Sequence, residues 1–134
     1  MKSFTLLIFL LLIYLSSNAQ KFFSEHTIEG YENPIINKLV KENYKVTFNK
    51  DSSYYTVLCF VDNAGKGRGK ASIEIVDTKT GDLLSKSKEV NGQITLFNGY
   101  TDPKMLAMQK LADSYLIDLI KKLPRNSVKR SPEL

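Results

Sequence analysis

The run Tyr54–Asp62 most constrains the fold, because both of its alternating sides are apolar. A strand with two apolar sides is usually central in a sheet and covered above and below. Tyr54 and Phe60 share one side. We interpret this aromatic side as packing, with a partner-docking face as the alternative. Cys59, the only cysteine, falls on the other side, which predicts a buried structural thiol, with an intermolecular disulfide or a reactive thiol as alternatives.

Shorter strand patterns flank this run. Residues 44–48 alternate apolar and polar side chains and predict a half-buried strand before it. Ala71–Asp77 and Leu83–Val90 predict two strands joined by a turn at 77–82, with Leu83–Val90 at an edge. Asn91-Gly92 predicts another turn, and Ile94–Phe97 a short strand or an extended lead-in. The connections between the later strands are too short for crossover helices, so these strands are expected to be antiparallel.

Two helices are predicted, one before the strands along the chain and one after them. The first is expected to start at Asn33-Pro34, with Asn33 as the cap, and to end at Asn43. Its apolar stripe is Ile36, Leu39 and Val40. The second is expected to start at Asp102-Pro103 and to run to Leu123, before Pro124. The sequence therefore predicts an α+β, two-layer fold in the order helix, three or four strands, helix, with a mainly antiparallel sheet packed by two helices.

The N-terminal segment, residues 1–19, has the pattern of a cleavable signal peptide. Lys2 precedes the apolar run Phe4–Leu15, and Ser17 and Ala19 are the small residues that a signal peptidase reads. The run is shorter than the roughly 20 residues that span a bilayer, so no stable membrane span is expected in the mature form. We expect cleavage near Ala19-Gln20 and a periplasmic or secreted location. The mature chain is predicted to comprise an irregular arm at 20–32, one α+β domain at 33–123 and a disordered basic tail at 124–134.

The sequence predicts no catalytic, metal-binding or cofactor-binding residue. His26 is the only histidine, which excludes a site built from several histidines. A thiol dyad of Cys59 and His26 would require the arm to fold over the central strand. Asp77 and Asp82 bracket a turn, where hydrogen bonds to the backbone explain acidic residues. We therefore expect a protein that is not an enzyme and that needs no cofactor.

Lys66, Arg68 and Lys70 lie in a glycine-rich stretch, residues 63–70, which predicts a mobile hairpin loop. The stretch differs from a phosphate-binding loop because it lies between strands and lacks the Ser or Thr that follows the lysine. The alternative is a basic finger that contacts an anion or an acidic partner, consistent with a formal net charge of +5. Nucleic acid is not expected as a partner, since export separates the protein from it and no stacking motif is present.

The run Ile73-Glu74-Ile75-Val76-Asp77, followed by Thr80-Gly81-Asp82-Leu83-Leu84, resembles a hairpin of small bacterial periplasmic α/β envelope modules. These include the amino-terminal domain of the Tol translocation protein and small envelope lipoproteins of unknown function. The resemblance covers residues 34–123 and implies a non-catalytic periplasmic module that binds another envelope component. Those lipoproteins carry a lipidated cysteine after the signal, where this chain has Gln20.

Three functional hypotheses follow from the sequence. The first is an exported, non-enzymatic envelope binding or assembly-accessory module, with an unknown envelope protein or an anionic envelope component as its partner. It would use the sheet or the basic stretch, so the candidate contacts are Lys66, Arg68 and Lys70, or Tyr54 and Phe60. The second is a secreted inhibitor that presents hairpin loops to a target protein. The third is a small enzyme that uses Cys59 or His26.

Overall fold

The computed structural model describes residues 3–8 and 21–123, and residues 3–8 form a helix. The predicted cleavage point and the predicted basic tail lie outside the described residues. The strands are β1 (Lys21–Ser24), β2 (Lys45–Val46), β3 (Tyr55–Gly65), β4 (Arg68–Asp77), β5 (Leu83–Lys86) and β6 (Val90–Gln93). Within residues 21–123, the helices are α1 (Asn33–Lys41), α2 (Pro103–Ser114) and α3 (Leu116–Lys121), with a 3-10 turn at Lys50–Ser52. Within the described ranges, none of the helices has the length and apolar character to cross a membrane.

The fold is α+β, but the sheet is mixed and six-stranded, not mainly antiparallel with three or four strands. The strand order is β2-β1-β3-β4-β5, and β6 pairs with a second stretch of β4. The difference comes from β1, which lies in the segment predicted to be an irregular arm and runs parallel to both β2 and β3. Phe22 of β1 lies opposite Val46 on one side and Tyr55 on the other. The supposed arm is therefore built into the sheet.

The β3–β4 hairpin is much longer than the pattern predicted. Residues 63–70 are not a loop, because β3 continues to Gly65, β4 begins at Arg68, and only Lys66 and Gly67 form the turn. Gly67 has a φ of +67°, which glycine adopts without steric strain. The buried end of β3 starts at Tyr55, whereas the residues from Asp62 onward are exposed. The β3 strand therefore extends beyond the core, whereas β4 is still buried at Gly69.

The predicted strand Leu83–Val90 is divided into β5 and the start of β6. The division lies at Ser87, whose Oγ accepts a 2.8 Å hydrogen bond from the Ile73 N–H, while the Ser87 N–H donates to the Ile73 oxygen. Beyond it, β6 pairs with the distal half of β4, from Arg68 to Ala71. The turn predicted at Asn91-Gly92 is wrong, since both residues lie within β6.

The helix starts were predicted more closely than the helix interiors. Asp102 caps α2 as expected, its Oδ1 accepting from the Lys104 N–H at 2.9 Å, and Asn43 has the expected left-handed φ of 66°. Asn33, in contrast, is the first residue of α1 and not its cap. The predicted stripe on α1 is wrong at Val40, whose side chain is 58% exposed, because Ile35 and Leu39 face the core. The single helix predicted from Asp102 to Leu123 is two helices that meet at Tyr115.

The hydrophobic core lies between the helices and one face of the sheet. It contains Phe22, Tyr55, Val57, Ile73 and Ile75 from the strands and Ile35, Leu39, Met108, Leu111 and Leu116 from the helices. The alternate residues of β3 and β4 point the other way, onto what we call the open face. Phe60 stands on the open face with 48% of its surface exposed. The sequence predicted that β3 is covered on both faces. This prediction is wrong over part of the strand, because the open face is exposed at Phe60.

Candidate interaction surface

The three predicted cationic residues lie at the distal end of the β3–β4 hairpin, but they do not form a loop. Lys66 is exposed in the turn, whereas Arg68 and Lys70 alternate along β4 and therefore point to the same side, the open face. Lys70 lies opposite Asp62 in the sheet register, and its Nζ is 3.6 Å from Glu89 Oε2. The structure thus brings two cations to one face, and Lys70 is partly neutralised by its acidic neighbours.

Phe60 and Tyr54, the two predicted aromatic contacts, do not form a single surface. Phe60 lies opposite Ser72 beside a shallow cavity of about 260 Å³. Its lining residues are Phe60, Val61, Asp62, Lys70, Ala71, Ser72 and Glu89. Tyr54 lies just before the other end of β3, where its N–H donates to the Lys21 oxygen and its ring packs against the core. Six residues of extended chain separate them by about 20 Å.

Leu96 and Phe97 add an apolar feature to this end of the molecule that the sequence reasoning missed. Each side chain is 96% exposed, in the loop between β6 and α2. The loop begins at Ile94, whose N–H donates to the Gly67 oxygen at 3.0 Å. The segment Ile94–Phe97 was predicted as a short strand or an extended lead-in, and no strand forms there. The Asn98-Gly99 pair that follows was the available signal for a turn at this position.

We call the group of Lys66, Gly67, Arg68, Leu96 and Phe97 the hairpin tip. Beside it lies a second cavity of about 480 Å³, whose lining is Ala64, Arg68, Asn91, Gly92, Gln93 and Lys110. Within residues 21–123, Lys66, Arg68 and Lys110 make no ion pair. The tip therefore combines unneutralised cations with exposed apolar side chains, a composition suited to anionic amphipathic partners.

Two acidic side chains near the ends of the helices have structural partners. The Tyr31 hydroxyl donates to Asp102 Oδ2 at 2.5 Å. Burial raises the pKa of Asp102, but the hydrogen bonds from Tyr31 and from the backbone N–H groups of Lys104 and Met105 outweigh burial, so its pKa lies below the ordinary value. Burial, and then the bond to Asp102, raise the pKa of Tyr31. Asp102 is thus held by the fold and is not poised for proton transfer.

Glu32 is the second structural acid, and it binds His26. Its Oε2 accepts from the Thr27 N–H at 3.1 Å and from the Thr27 hydroxyl at 2.8 Å, and its Oε1 is 3.3 Å from His26 Nδ1. Burial raises the pKa of Glu32, but the hydrogen bonds from its own backbone, Thr27 and His26 lower it further than burial raises it. His26 therefore has a partner that helps order the segment after β1.

Cys59 lies in a different setting from that of a reactive thiol. Cys59 is partly buried. Its Sγ is 4.0 Å from Ser24 Oγ, and burial raises the pKa of the thiol to about 12, because it outweighs the lowering by the contact with Ser24. A nucleophilic cysteine requires the opposite shift, toward the thiolate. Within residues 3–8 and 21–123, His, Cys, Asp and Glu do not group into a cluster that could hold a metal ion.

The chain is similar in structure to known proteins, but it matches no known family. The chain matches no family model and no curated protein. Among solved structures, it is similar to a minor lipoprotein from Acinetobacter baumannii, with a TM-score of 0.49 and 14% identity over 78% of this chain and 94% of that one. A predicted lipoprotein from Caulobacter crescentus CB15 gives a TM-score of 0.44 and 14% identity over 79% of this chain and 91% of that one.

These two similar structures are bacterial lipoproteins, one of the classes that the hairpin at residues 73–84 resembles. The resemblance to the Tol domain stays an expectation from the sequence. Because both TM-scores lie below 0.5, the backbones agree only in part, and no property of either protein is carried over to this chain.

Proposed function

We propose that this protein is an exported, non-enzymatic accessory module of the bacterial envelope that binds another envelope component through the distal end of its β3–β4 hairpin. One observation carries the proposal. The β3 strand extends past the core, and the hairpin presents Lys66 and Arg68 at its turn together with the exposed ring of Phe60. A strand that served only the core would not need 11 residues, five of them exposed to solvent.

The non-enzymatic part of the proposal is supported by the environments of the two candidate catalytic residues. Cys59 is held in the thiol form by burial, and His26 is bound to Glu32. Acid–base or nucleophilic catalysis needs a group poised near the working pH beside a substrate cleft. The cavities at the distal end of the hairpin are lined instead by lysine, arginine, glutamine and short side chains, together with Phe60 and two acidic residues.

The test is in-cell crosslinking of the exported protein, followed by identification of the crosslinked envelope components. We expect the triple variant Lys66→Ala/Arg68→Ala/Lys70→Ala to lose the crosslinks. The matched control is Lys41→Ala/Lys79→Ala/Lys121→Ala, which removes the same charge from exposed positions elsewhere and should keep them. Identical crosslink patterns for the wild type and the first variant would contradict a binding role for this end of the hairpin.

A further inference from the structure

Leu96 and Phe97 are the most exposed pair of neighbouring large apolar residues within residues 21–123, at 96% each. Single exposed apolar residues are common on protein surfaces, but two consecutive ones on a projecting loop are a feature of interaction sites. Their exposure also excludes a groove around them, since groove walls would cover part of each side chain. Any partner must therefore accept a convex apolar projection.

The loop that carries the pair is held in shape by hydrogen bonds. Its first residue is fixed to the hairpin turn by the bond from the Ile94 N–H to the Gly67 oxygen. The Asn98 side-chain amide donates to the Gln93 oxygen at 3.0 Å, and Asn98 Oδ1 accepts from the Tyr100 N–H at 3.2 Å. The Phe97 N–H donates to Thr95 Oγ1 at 3.3 Å. These bonds keep both side chains directed away from the core.

The charges around the pair are mainly positive. Lys66 adjoins Gly67, Arg68 lies opposite Gln93, and Lys110 shares the second cavity with Arg68. The acidic groups at this end already have partners. Asp102 accepts from Tyr31 and Lys104, Glu89 lies 3.6 Å from Lys70, and Asp62 lies opposite Lys70 at the first cavity. An anionic surface would therefore meet cations next to the apolar pair.

From this combination we infer that the hairpin tip docks on an anionic phospholipid bilayer. Leu96 and Phe97 enter the boundary between headgroups and acyl chains, while Lys66, Arg68 and Lys110 contact lipid phosphates. A bilayer accepts a protruding apolar pair without a preformed pocket, which a protein partner would have to supply. This inference rests on the proposed function and names its partner. The contact is weak and reversible, because two inserted side chains and three cations amount to a peripheral anchor.

The absence of tryptophan from the sequence makes a sharp test possible. Phe97→Trp places the single tryptophan at the hairpin tip, and Phe48→Trp places it at an exposed position beside β2. Both variants are purified in exported form, with the same N-terminus verified by mass. They are mixed with vesicles of phosphatidylcholine alone or of phosphatidylcholine and phosphatidylglycerol in a two-to-one ratio. We expect a blue shift for Phe97→Trp with the anionic vesicles only, reversed by high salt, and none for Phe48→Trp.

Vesicle co-sedimentation gives the second measurement. Leu96→Ser/Phe97→Ser should lower the partition coefficient about tenfold or more, because it removes the inserted apolar area. The control Val40→Ser/Phe48→Ser removes exposed apolar area at other sites and should leave partitioning unchanged. Lys66→Ala/Arg68→Ala should weaken binding to the anionic vesicles by about thirtyfold, since each of the two cations near such a surface contributes on the order of 1 kcal/mol.

The outcomes separate this inference from the proposed function. If Phe97→Trp shows no shift and the wild type does not sediment with anionic vesicles, the lipid inference is wrong. Crosslinks to an envelope protein that depend on Lys66, Arg68 and Lys70 would still support the proposed function. If those crosslinks depend on Leu96 and Phe97 in the absence of vesicle binding, the apolar pair serves a protein partner and the lipid inference fails.

Discussion

Gly69 of β4 lies directly opposite Gly92 of β6, and the first turn of α2 packs on this pair. A methyl group at Gly69 would lie 2.6 Å from the Lys104 backbone nitrogen, and one at Gly92 would lie 2.6 Å from the Ala107 nitrogen. The two missing side chains let the helix backbone rest directly on the sheet. This contact sets the position of α2 and of the preceding loop, and it therefore places Leu96 and Phe97 beside the hairpin turn.

Gly69→Ala is expected to destabilise the protein. The added methyl must push α2 away from the sheet, and overpacking of this kind costs about 1–3 kcal/mol. Urea unfolding followed by circular dichroism measures the change. Ser72→Ala, on the open face of the same strand, is the control and should change the free energy of unfolding by less than about 0.5 kcal/mol. An unstrained Gly→Ala substitution stabilises a protein by about 0.4–1 kcal/mol, so a more stable Gly69→Ala would contradict the close packing.

Tyr31→Phe tests the hydrogen bond that joins the segment before α1 to the start of α2. We expect a loss of about 1 kcal/mol in the free energy of unfolding at neutral pH. The folded protein holds the pKa of Asp102 below its ordinary value, so Asp102 contributes stability above about pH 4, and that stability is lost as the pH falls through the folded pKa.

The difference between wild type and Tyr31→Phe should therefore shrink in acid. Tyr100→Phe is the matched control, since within residues 21–123 the Tyr100 hydroxyl makes no hydrogen bond. Urea unfolding at several pH values measures both variants. A loss of equal size at every pH would show that Tyr31 acts through packing alone.

Glu32→Gln is expected to flatten the acid dependence of stability. The Glu32 side chain is buried, 5% of the residue being exposed, and its pKa is lowered in the folded state, so its charged form stabilises the fold above about pH 4.5. Neutral glutamine keeps part of the bonding to Thr27 but cannot titrate. The variant should be less stable than wild type at neutral pH by about 1–2 kcal/mol and should approach it below pH 4.

Glu42→Gln is the control for Glu32→Gln, because Glu42 is exposed at the end of α1. Its unfolding free energy should follow the wild-type value across the same pH range, apart from the small contribution of its exposed pair with Lys38. If Glu32→Gln kept the full wild-type slope between about pH 3 and 5, the titrating group would lie elsewhere in the protein.

The fold could be predicted from the sequence where structure is local. The β3–β4–β5 order, the turn at 77–82, the Asp102 cap and the end of α1 at Asn43 depend on neighbours in the chain. β1 could not be predicted, because four residues, Lys-Phe-Phe-Ser, are too few to show a strand period, and parallel pairing with β2 and β3 is a tertiary effect. Gly92 suggested a turn, although its role is to let α2 approach.

The candidate site was predicted in part. Lys66, Arg68 and Lys70 were identified by charge and spacing, and the same spacing, once β4 is known to begin at Arg68, places the last two on one face. Leu96 and Phe97 were not identified, because an apolar pair before a helix is ordinarily buried. Their exposure depends on where the contact of α2 with Gly69 and Gly92 fixes the loop, which requires the packed structure.

Cys59 is expected to react slowly with a thiol reagent in the native protein. Because burial raises the pKa of its thiol to about 12, the reactive thiolate is scarce at neutral pH. We expect labelling at least about tenfold slower in buffer than in urea, after allowing for the higher nucleophilicity of a thiolate with a high pKa. In the control Cys59→Ser/Lys79→Cys, the new cysteine replaces an exposed turn residue and should react rapidly in both conditions.

The variant His26→Ala separates a partly buried structural thiol from a catalytic dyad. His26 Nδ1 contacts Glu32 Oε1, and the contact of Cys59 Sγ is Ser24 Oγ, so the labelling rate of Cys59 should not change when the imidazole is removed. A dyad would behave differently, because the imidazole would promote formation of the thiolate and its loss would slow labelling across neutral pH. Rapid native labelling that also depends on His26 would favour the thiol-enzyme hypothesis over the binding module.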